Sequence, residues 1–321
     1  MNIVLVTPAR PSARAGNWHT AARWARLLRD AGHRVRTVSE WEGDTGPRAD
    51  LMLALHARRS AASIRRWAAA TPRRPLIVAL TGTDLYRDIR TSRAAQHSLA
   101  LADRLLVLQE LGAQALPRRF RGKTRVVYQS APGVRPARPR ADAFEVCVSG
   151  HLRAEKDPFR TAAALAHLPP ASRIRVLHAG AALAPAYARQ ARAWQEREPR
   201  YRWFGELSHP RALALLARAR LLVMSSRLEG GANVVSEALV AGVPVIASRI
   251  AGNVGMLGRD YAGYYPVGNT RALARLLRRA EQDPGFYRKL AMQCRLRRRL
   301  VTPARERAAL VAVLRELRSQ P

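Results

Sequence analysis

Residues 225–248 read SSRLEGGANVVSEALVAGVPVIAS, and their order decides the fold. An apolar run, Leu221–Ser225, stops at a polar loop that holds Gly230 and Gly231. Asn233, a residue type suited to helix caps, opens a helical pattern over Val234–Ala241. Gly242 ends that pattern, and Val243–Ser248 resumes an apolar run. Strand, glycine loop, helix, strand is one βαβ unit, the building block of a parallel sheet covered by helices. The first backbone N–H groups of such a helix form an anion site. Glu229 and Glu237 have seven residues between them and can both point to the ligand side. Carboxylates there suit paired sugar hydroxyls, accepting two hydrogen bonds each. On spacing alone, Glu237 reads equally well as a helix-start acid favoured by the dipole.

Outward from this unit the same alternation fills the chain. Toward the N-terminus, strands are expected at Asn2–Thr7, Arg34–Ser39, Asp50–Leu55, Leu76–Leu80, Arg104–Leu108 and Thr124–Tyr128. Helices are expected at His19–Ala31 and Ala94–Ala102. Residues 131–140 carry three prolines and a glycine and read as a linker. A second series follows, with strands at Phe144–Ser149, Ile174–Ala179, Tyr201–Phe204 and Gly263–Pro266 beside the two already named. Its helices are expected at Asp157–His167, Ala186–Arg197, Pro210–Ala219, Thr270–Glu281, Pro284–Arg299 and Pro303–Arg318. The expected fold class is α/β: two Rossmann-like, doubly wound parallel-sheet domains facing a cleft. The expected division is 1–139 for an acceptor domain and 140–321 for a donor domain, the last helix packing back on the first.

A chain of 321 residues, 48% hydrophobic, is long enough for two real cores. Cys147 and Cys294 are too few for a disulfide framework or a cysteine-rich metal site. No apolar run approaches the ~18–20 residues that span a bilayer, and the MNIVLV start lacks the basic flank of a signal peptide. A soluble cytoplasmic protein is expected, without membrane insertion. The net charge of +33 (56 basic, 23 acidic) would ordinarily point to nucleic acid. However, all but Lys123, Lys156 and Lys289 of the basic residues are arginines, and the excess is spread along the whole chain. Aromatics are 6% and do not interleave with the basic residues, so no nucleic-acid partner is expected. The field would still steer small anions.

Three further loops carry candidate chemistry. Ser149–Pro158 reads SGHLRAEKDP and brings Gly150, Arg153 and Lys156 to the end of a strand. Pro8–Thr20 reads PARPSARAGNWHT, with Arg10 and Arg14 as cations, Gly16 for close backbone approach and Asn17 as a helix cap. Thr81–Arg87 reads TGTDLYR, with Thr83, Asp84 and Arg87 as acceptor contacts. Asp84 is a candidate base or a turn residue. His19 and His97 are weaker candidates. No Asp-x-Asp pair is present, so neither a metal nor another cofactor is expected.

The stretch from Glu229 to Ser248 resembles the Glu-x7-Glu signature of retaining-type, two-Rossmann (GT-B) glycosyltransferases of family 4. That resemblance implies that Glu237 holds the nucleotide ribose, Glu229 faces the donor sugar, and the amides of Gly230, Gly231, Ala232, Asn233 and Val234 contact phosphate. Gly150, Leu152 and Lys156 match the family's Gly-Arg-Leu…Lys-Gly element, whose cations clamp the diphosphate. His151 stands where the family often has arginine, so Arg153 is expected to supply that charge with Lys156. Cations are needed because a nucleoside diphosphate leaves with developing negative charge. In order along the chain come Gly16-Asn17 with Thr20-Ala-x-Arg23-Trp24-Ala, TGTDLY at 81–86, GHLRAEKDPF at 150–159, EGGANVVSE at 229–237, and GNVGMLG at 252–258 with Tyr261-x-Gly-Tyr. Together they resemble the selenosugar synthases of selenoneine biosynthesis, a family 4-like branch. This resemblance implies a UDP-sugar donor, UDP-N-acetylglucosamine above all, and selenophosphate as acceptor, joined through a carbon–selenium bond. An ordinary sugar-to-hydroxyl transferase is the alternative.

Overall fold

The computed structural model describes residues 1–8, 16–44, 46–134 and 137–318. Its chain divides into two compact units, residues 1–130 with 302–321, and residues 131–301. The division therefore falls at Ser130 and again at Val301, where the proline-rich stretch alone suggested 139.

In the first unit the strands are β1 (Asn2–Val6), β2 (Arg34–Val38), β3 (Leu51–Leu55), β4 (Leu76–Leu80), β5 (Arg104–Val107) and β6 (Thr124–Val126). They form one parallel sheet in the order β2-β1-β3-β4-β5-β6. Strands β3 and β4 read LMLAL and LIVAL and are buried along their whole length. Such runs are what a sheet covered on both faces requires. Alternate side chains build two layers: Val4, Val6, Met52 and Val78 on one face, Ile3, Leu5, Leu53 and Ile77 on the other.

Helix α1 (Gly16–Arg29) buries Trp24, Leu27 and Leu28. It begins three residues earlier than its apolar pattern indicated, so Asn17 lies in its first turn and does not cap it. Helix α2 (Ala61–Ala70) was not expected; its Trp67 is fully buried and meets Trp41 edge to face at 5.2 Å. After β4 come a π-helical turn (Asp84–Asp88), α3 (Ile89–Thr91), α4 (Arg93–Leu101) and, beyond β5, α5 (Arg118–Arg121).

The second unit carries β7 (Phe144–Ser149), α6 (Arg160–Leu165), β8 (Ile174–Ala179), α7 (Pro185–Arg197), β9 (Tyr201–Trp203), α8 (His209–Arg218), β10 (Leu221–Met224), α9 (Asn233–Ala241), β11 (Val245–Ser248), α10 (Ala251–Leu257), β12 (Tyr264–Tyr265), α11 (Thr270–Gln282) and α12 (Pro284–Arg298). Its parallel sheet runs β12-β11-β10-β7-β8-β9. Helix α6 starts three residues later than expected. Asp157 takes a left-handed conformation (φ 45°) ahead of Pro158, which a helix start cannot accommodate. Helix α10 was not expected.

Helix α13 (Pro303–Arg318) belongs to the first unit. Its Leu310, Val313, Leu314 and Leu317 join the layer of Ile3, Leu5, Trp24 and Leu28. Glu306 is buried there and accepts hydrogen bonds from Trp24 Nε1 (2.6 Å), Arg23 Nε (2.9 Å) and the Ser130 backbone N–H (2.9 Å), and from the Ser130 hydroxyl. A buried carboxylate requires donors on its oxygens, and these four supply them. Both cysteines are free and buried. Among the described residues no helix is long and apolar enough to cross a membrane.

Candidate active site

The second sheet is wound outward in both directions from the pair β7 and β10. Strands β8 and β9 extend it one way, β11 and β12 the other. A switch in strand order leaves a crevice at the carboxyl ends of the central pair, where α/β sheets bind ligands. A pocket lies there, lined by residues of the β7 end (Ser149, Gly150), the β10 end (Ser225, Ser226), and Lys156, Pro158 and His178.

Lys156 reaches Glu229 across this crevice. Its Nζ donates to Glu229 Oε1 at 2.5 Å, and the Ser226 hydroxyl donates to the same oxygen at 2.6 Å. The lysine stem lies over Gly150: a Cβ there would stand in ordinary contact, 3.7 Å from the lysine Cδ and Cε. The Ser225 hydroxyl contacts the carbonyls of Lys156 and Asp157 at 2.9 Å, and the Arg227 N–H donates to the Glu155 carbonyl at 2.8 Å. These bonds tie the Gly150–Asp157 loop to the loop after β10. Behind Glu229, Gly252 of α10 packs so closely that a Cβ would stand 2.1 Å from the Glu229 carbonyl oxygen.

Arg153 is half-exposed, with its Nε 3.9 Å from Glu155 Oε2. His151 Nδ1 accepts from the Ala181 N–H at 3.2 Å, which leaves the ring proton on Nε2. Gly230, Gly231 and Ala232 lead into α9, with Ala232 at the cap position and Asn233 and Val234 as its first residues. Asn233 therefore makes no cap; the turn is entered through an extended alanine. Glu237 follows one turn on, and its Oε1 lies 2.9 Å from His209 Nε2 at the start of α8. The carboxylate only accepts, so that histidine nitrogen carries the proton. His178, fully buried against the Tyr201 hydroxyl at 2.9 Å, has its pKa pushed down to about 4 by burial.

In the first unit the polar loop after β4 is differently used. Asp84 is fully buried, and its oxygens accept the N–H groups of Ala57 (3.0 Å), Thr81 (2.9 Å) and Gly82 (2.9 Å). The reading of Asp84 as an acceptor contact or base is corrected accordingly: it is the lock of the turn. Thr83 bonds His56 Nε2 at 3.1 Å through its hydroxyl. Arg87 is half-exposed, with Nε donating to Asp88 Oδ1 at 3.3 Å. Gly16 and Asn17 open α1, while Arg10 and Arg14 lie outside the described residues. His19 and His97 are exposed on α1 and α4. Sequence reading missed Ser226, His209, Asp88, Arg58 and His56. For the last, one signal existed: the HARRS run of residues 56–60 directly after a fully apolar strand. Among the described residues no group of three or more His, Cys, Asp or Glu is placed to hold a metal ion.

The sequence model of the glycosyl transferases group 1 matches residues 135–302, within which the whole β7–β10 crevice falls. A glycogen synthase of Mycobacterium tuberculosis is 32% identical over 177 residues, 50% of this chain and 39% of that protein. The chain thus spans about two fifths of the length of the curated relatives it matches. Among solved structures, Anabaena HepE in complex with UDP and glucose superposes with a TM-score of 0.77 at 18% identity, covering 98% of this chain and 100% of that one. The sucrose-phosphate synthase of Thermosynechococcus elongatus gives 0.76 at 19% identity, covering 99% of each. At such identities the likeness is one of fold, and the fold class is the two-sheet α/β class, GT-B.

Proposed function

Because the chain belongs to the glycosyl transferases group 1, we propose that it transfers a sugar from a UDP-sugar to selenophosphate. N-acetylglucosamine is the sugar proposed. The observation that carries a nucleotide-sugar site is the crevice at the β7–β10 switch point. There Lys156 and Glu229 meet at 2.5 Å, and α9 presents its first turn and Glu237. Glu237 accepts the ribose hydroxyls, and His209 holds it in place. The amides of Gly230–Val234 take the diphosphate. Glu229, steadied by Ser226 and Lys156, faces the donor sugar.

In the transfer, a carbon–selenium bond forms at the anomeric carbon as the bond from that carbon to the diphosphate oxygen breaks. The electron pair goes to the departing UDP, whose growing charge Lys156 and Arg153 neutralise. Thr83, Arg87, Arg10 and Arg14 are proposed for the acceptor, and Gly16 and Asn17 for the donor side. Selenium is a soft nucleophile that needs little base help. In keeping with that, Asp84, the carboxylate of the first unit nearest to such a role by type, has its oxygens on backbone amides. The ordered motifs along nearly the whole chain support this acceptor.

A hydroxyl acceptor is the second reading. It is favoured by the names of the relatives, a glycogen synthase and a sucrose-phosphate synthase. Incubation with UDP-sugars and either selenophosphate or thiophosphate, followed by mass spectrometry, decides between them. A selenium- or sulfur-linked sugar establishes the first. Efficient glycosylation of a neutral alcohol, with no such product from any UDP-sugar, establishes the second.

A further inference from the structure

Three irregular features of the first unit gather at the carboxyl ends of β3 and β4. His56, the residue after β3, holds a left-handed backbone (φ 73°) although it is not glycine. The turn after β4 is π-helical over Asp84–Asp88. Asp88, 5% exposed, is a buried carboxylate. Strained and π-helical backbone persists where the surroundings enforce it, and it concentrates at functional sites. The strand order places β3 at the reversal of this sheet, beside β1, so its carboxyl end borders a crevice.

The charges there are arranged in an unusual way. Arg58 Nε donates to Asp88 Oδ2 at 2.8 Å, and Arg87 Nε to Asp88 Oδ1 at 3.3 Å. One buried carboxylate thus seats two guanidinium groups, whose side chains remain 44% and 50% exposed. The pair carries one positive charge more than Asp88 cancels. Asp84, held on backbone amides, brings a second negative charge to the cluster. Arg59 and Arg90, both exposed, add to the positive side. His56 adds nothing to it: burial pushes its pKa down, and Nδ1 accepts from the Arg59 N–H at 3.3 Å. The neutral ring therefore carries its proton on Nε2 and donates it to the Thr83 hydroxyl. With its oxygen engaged as acceptor, Thr83 has its own proton to donate.

We propose that Arg58 and Arg87, seated together on Asp88 and joined by the Thr83 hydroxyl, form a binding site for a phosphoryl-type oxyanion. Planar guanidinium forks fixed by a buried carboxylate match that geometry, where a mobile surface arginine would not. As the seat of the acceptor's phosphoryl group, the site rests on the transfer reading above; as an anion site it stands alone.

Titration calorimetry of the full chain with inorganic phosphate, without nucleotide and at fixed ionic strength, tests it. R58Q and R87Q are each expected to weaken phosphate binding about tenfold or more. R275Q, which removes an exposed charge on α11, is expected to leave it within about twofold. Absence of phosphate binding in the unaltered chain, or an equal loss in R275Q, overturns the site in favour of a diffuse field. Both target arginines are half-exposed, so the variants should keep the parent melting curve. If R87Q does not, R58Q alone decides.

Kinetics then separate the sources of the anion. A KM for thiophosphate or selenophosphate raised about tenfold in R58Q, with that for the UDP-sugar unchanged, supports the acceptor. A raised KM for the UDP-sugar alone overturns that assignment. Transfer to selenium with unchanged acceptor KM in both variants would sink the site and leave the transfer reading standing. Phosphate binding lost in both variants, with no selenium or sulfur product, would do the reverse.

Discussion

Glu237 and Lys156 answer different questions about the same crevice. Glu237→Ala removes a charged acceptor from the ribose hydroxyls and should weaken UDP-sugar binding by about 1.5–3 kcal/mol, read by calorimetry. The fold should survive, because the side chain is 16% exposed at the crevice rim. His209→Ala should cost less, since it reaches the ribose through Glu237. Lys156→Ala should instead lower kcat about a hundredfold or more, in the manner of a lost transition-state donor, with a smaller change in donor affinity. Unchanged kcat in single-turnover assays would remove Lys156 from leaving-group stabilisation. These positions were legible in the sequence because glycines, a helix start and two spaced glutamates announce a local geometry. Asp84 was legible only as one of two readings, base or turn residue: the backbone amides on its oxygens favour the turn, and nothing in the composition of a polar Thr-Gly-Thr-Asp stretch says that Asp84 faces inward. His56 and Asp88 carry no periodic signal at all.

Elements were more legible than their ends. Fully apolar runs such as LMLAL and LIVAL admit little except a buried parallel strand, and all six strands of each sheet were anticipated near their true places. Helix starts at Thr270, Pro284 and Pro303 fell where expected, but that of α6 did not, because it turns on the left-handed Asp157, a backbone conformation that no hydrophobic period encodes. Helix α10 escaped for a related reason: its GNVGML core reads as a glycine-rich loop. Its packing nonetheless matters. Gly252→Ala would drive a Cβ to 2.1 Å from the Glu229 carbonyl, backbone against backbone, with no flexible side chain to yield. The loop after β10 must shift. A displacement of that kind should lower kcat at least tenfold, and overpacking should cost about 1–3 kcal/mol of stability. Parallel assays of turnover and denaturant unfolding check both; full activity in Gly252→Ala would show that the α10 contact does not position Glu229.

At the scale of the whole molecule, stability should depend on acidity through His178. Its folded pKa of about 4 lies below the ordinary 6.5, so the unfolded chain takes up the proton first as pH falls. The contribution is complete above about pH 6.5 and fades between there and about pH 4, by up to roughly 3 kcal/mol. Denaturant unfolding followed from pH 7 to pH 4 should show this slope in the unit of residues 131–301, and His178→Gln should flatten it. The chain's path between units carries a different consequence. Glu306, the carboxylate on which Arg23, Trp24 and Ser130 converge, lies beyond the entire second unit in sequence. On a ribosome adding about 5–20 residues per second, residues 131–301 take roughly ten to thirty seconds to emerge. Throughout that time the sheet begun first must wait, with Arg23 and Trp24 of α1 lacking the Glu306 carboxylate and the apolar seat of α13 bare to water. Nascent chains arrested with residues 1–301 outside the exit tunnel should therefore resist protease across 131–301 while 1–130 is still cut. Extending the arrest point by the twenty residues through 321 should protect both. Birth order and completion order are reversed in this protein, and chaperone occupancy during synthesis should fall on its earliest residues latest of all.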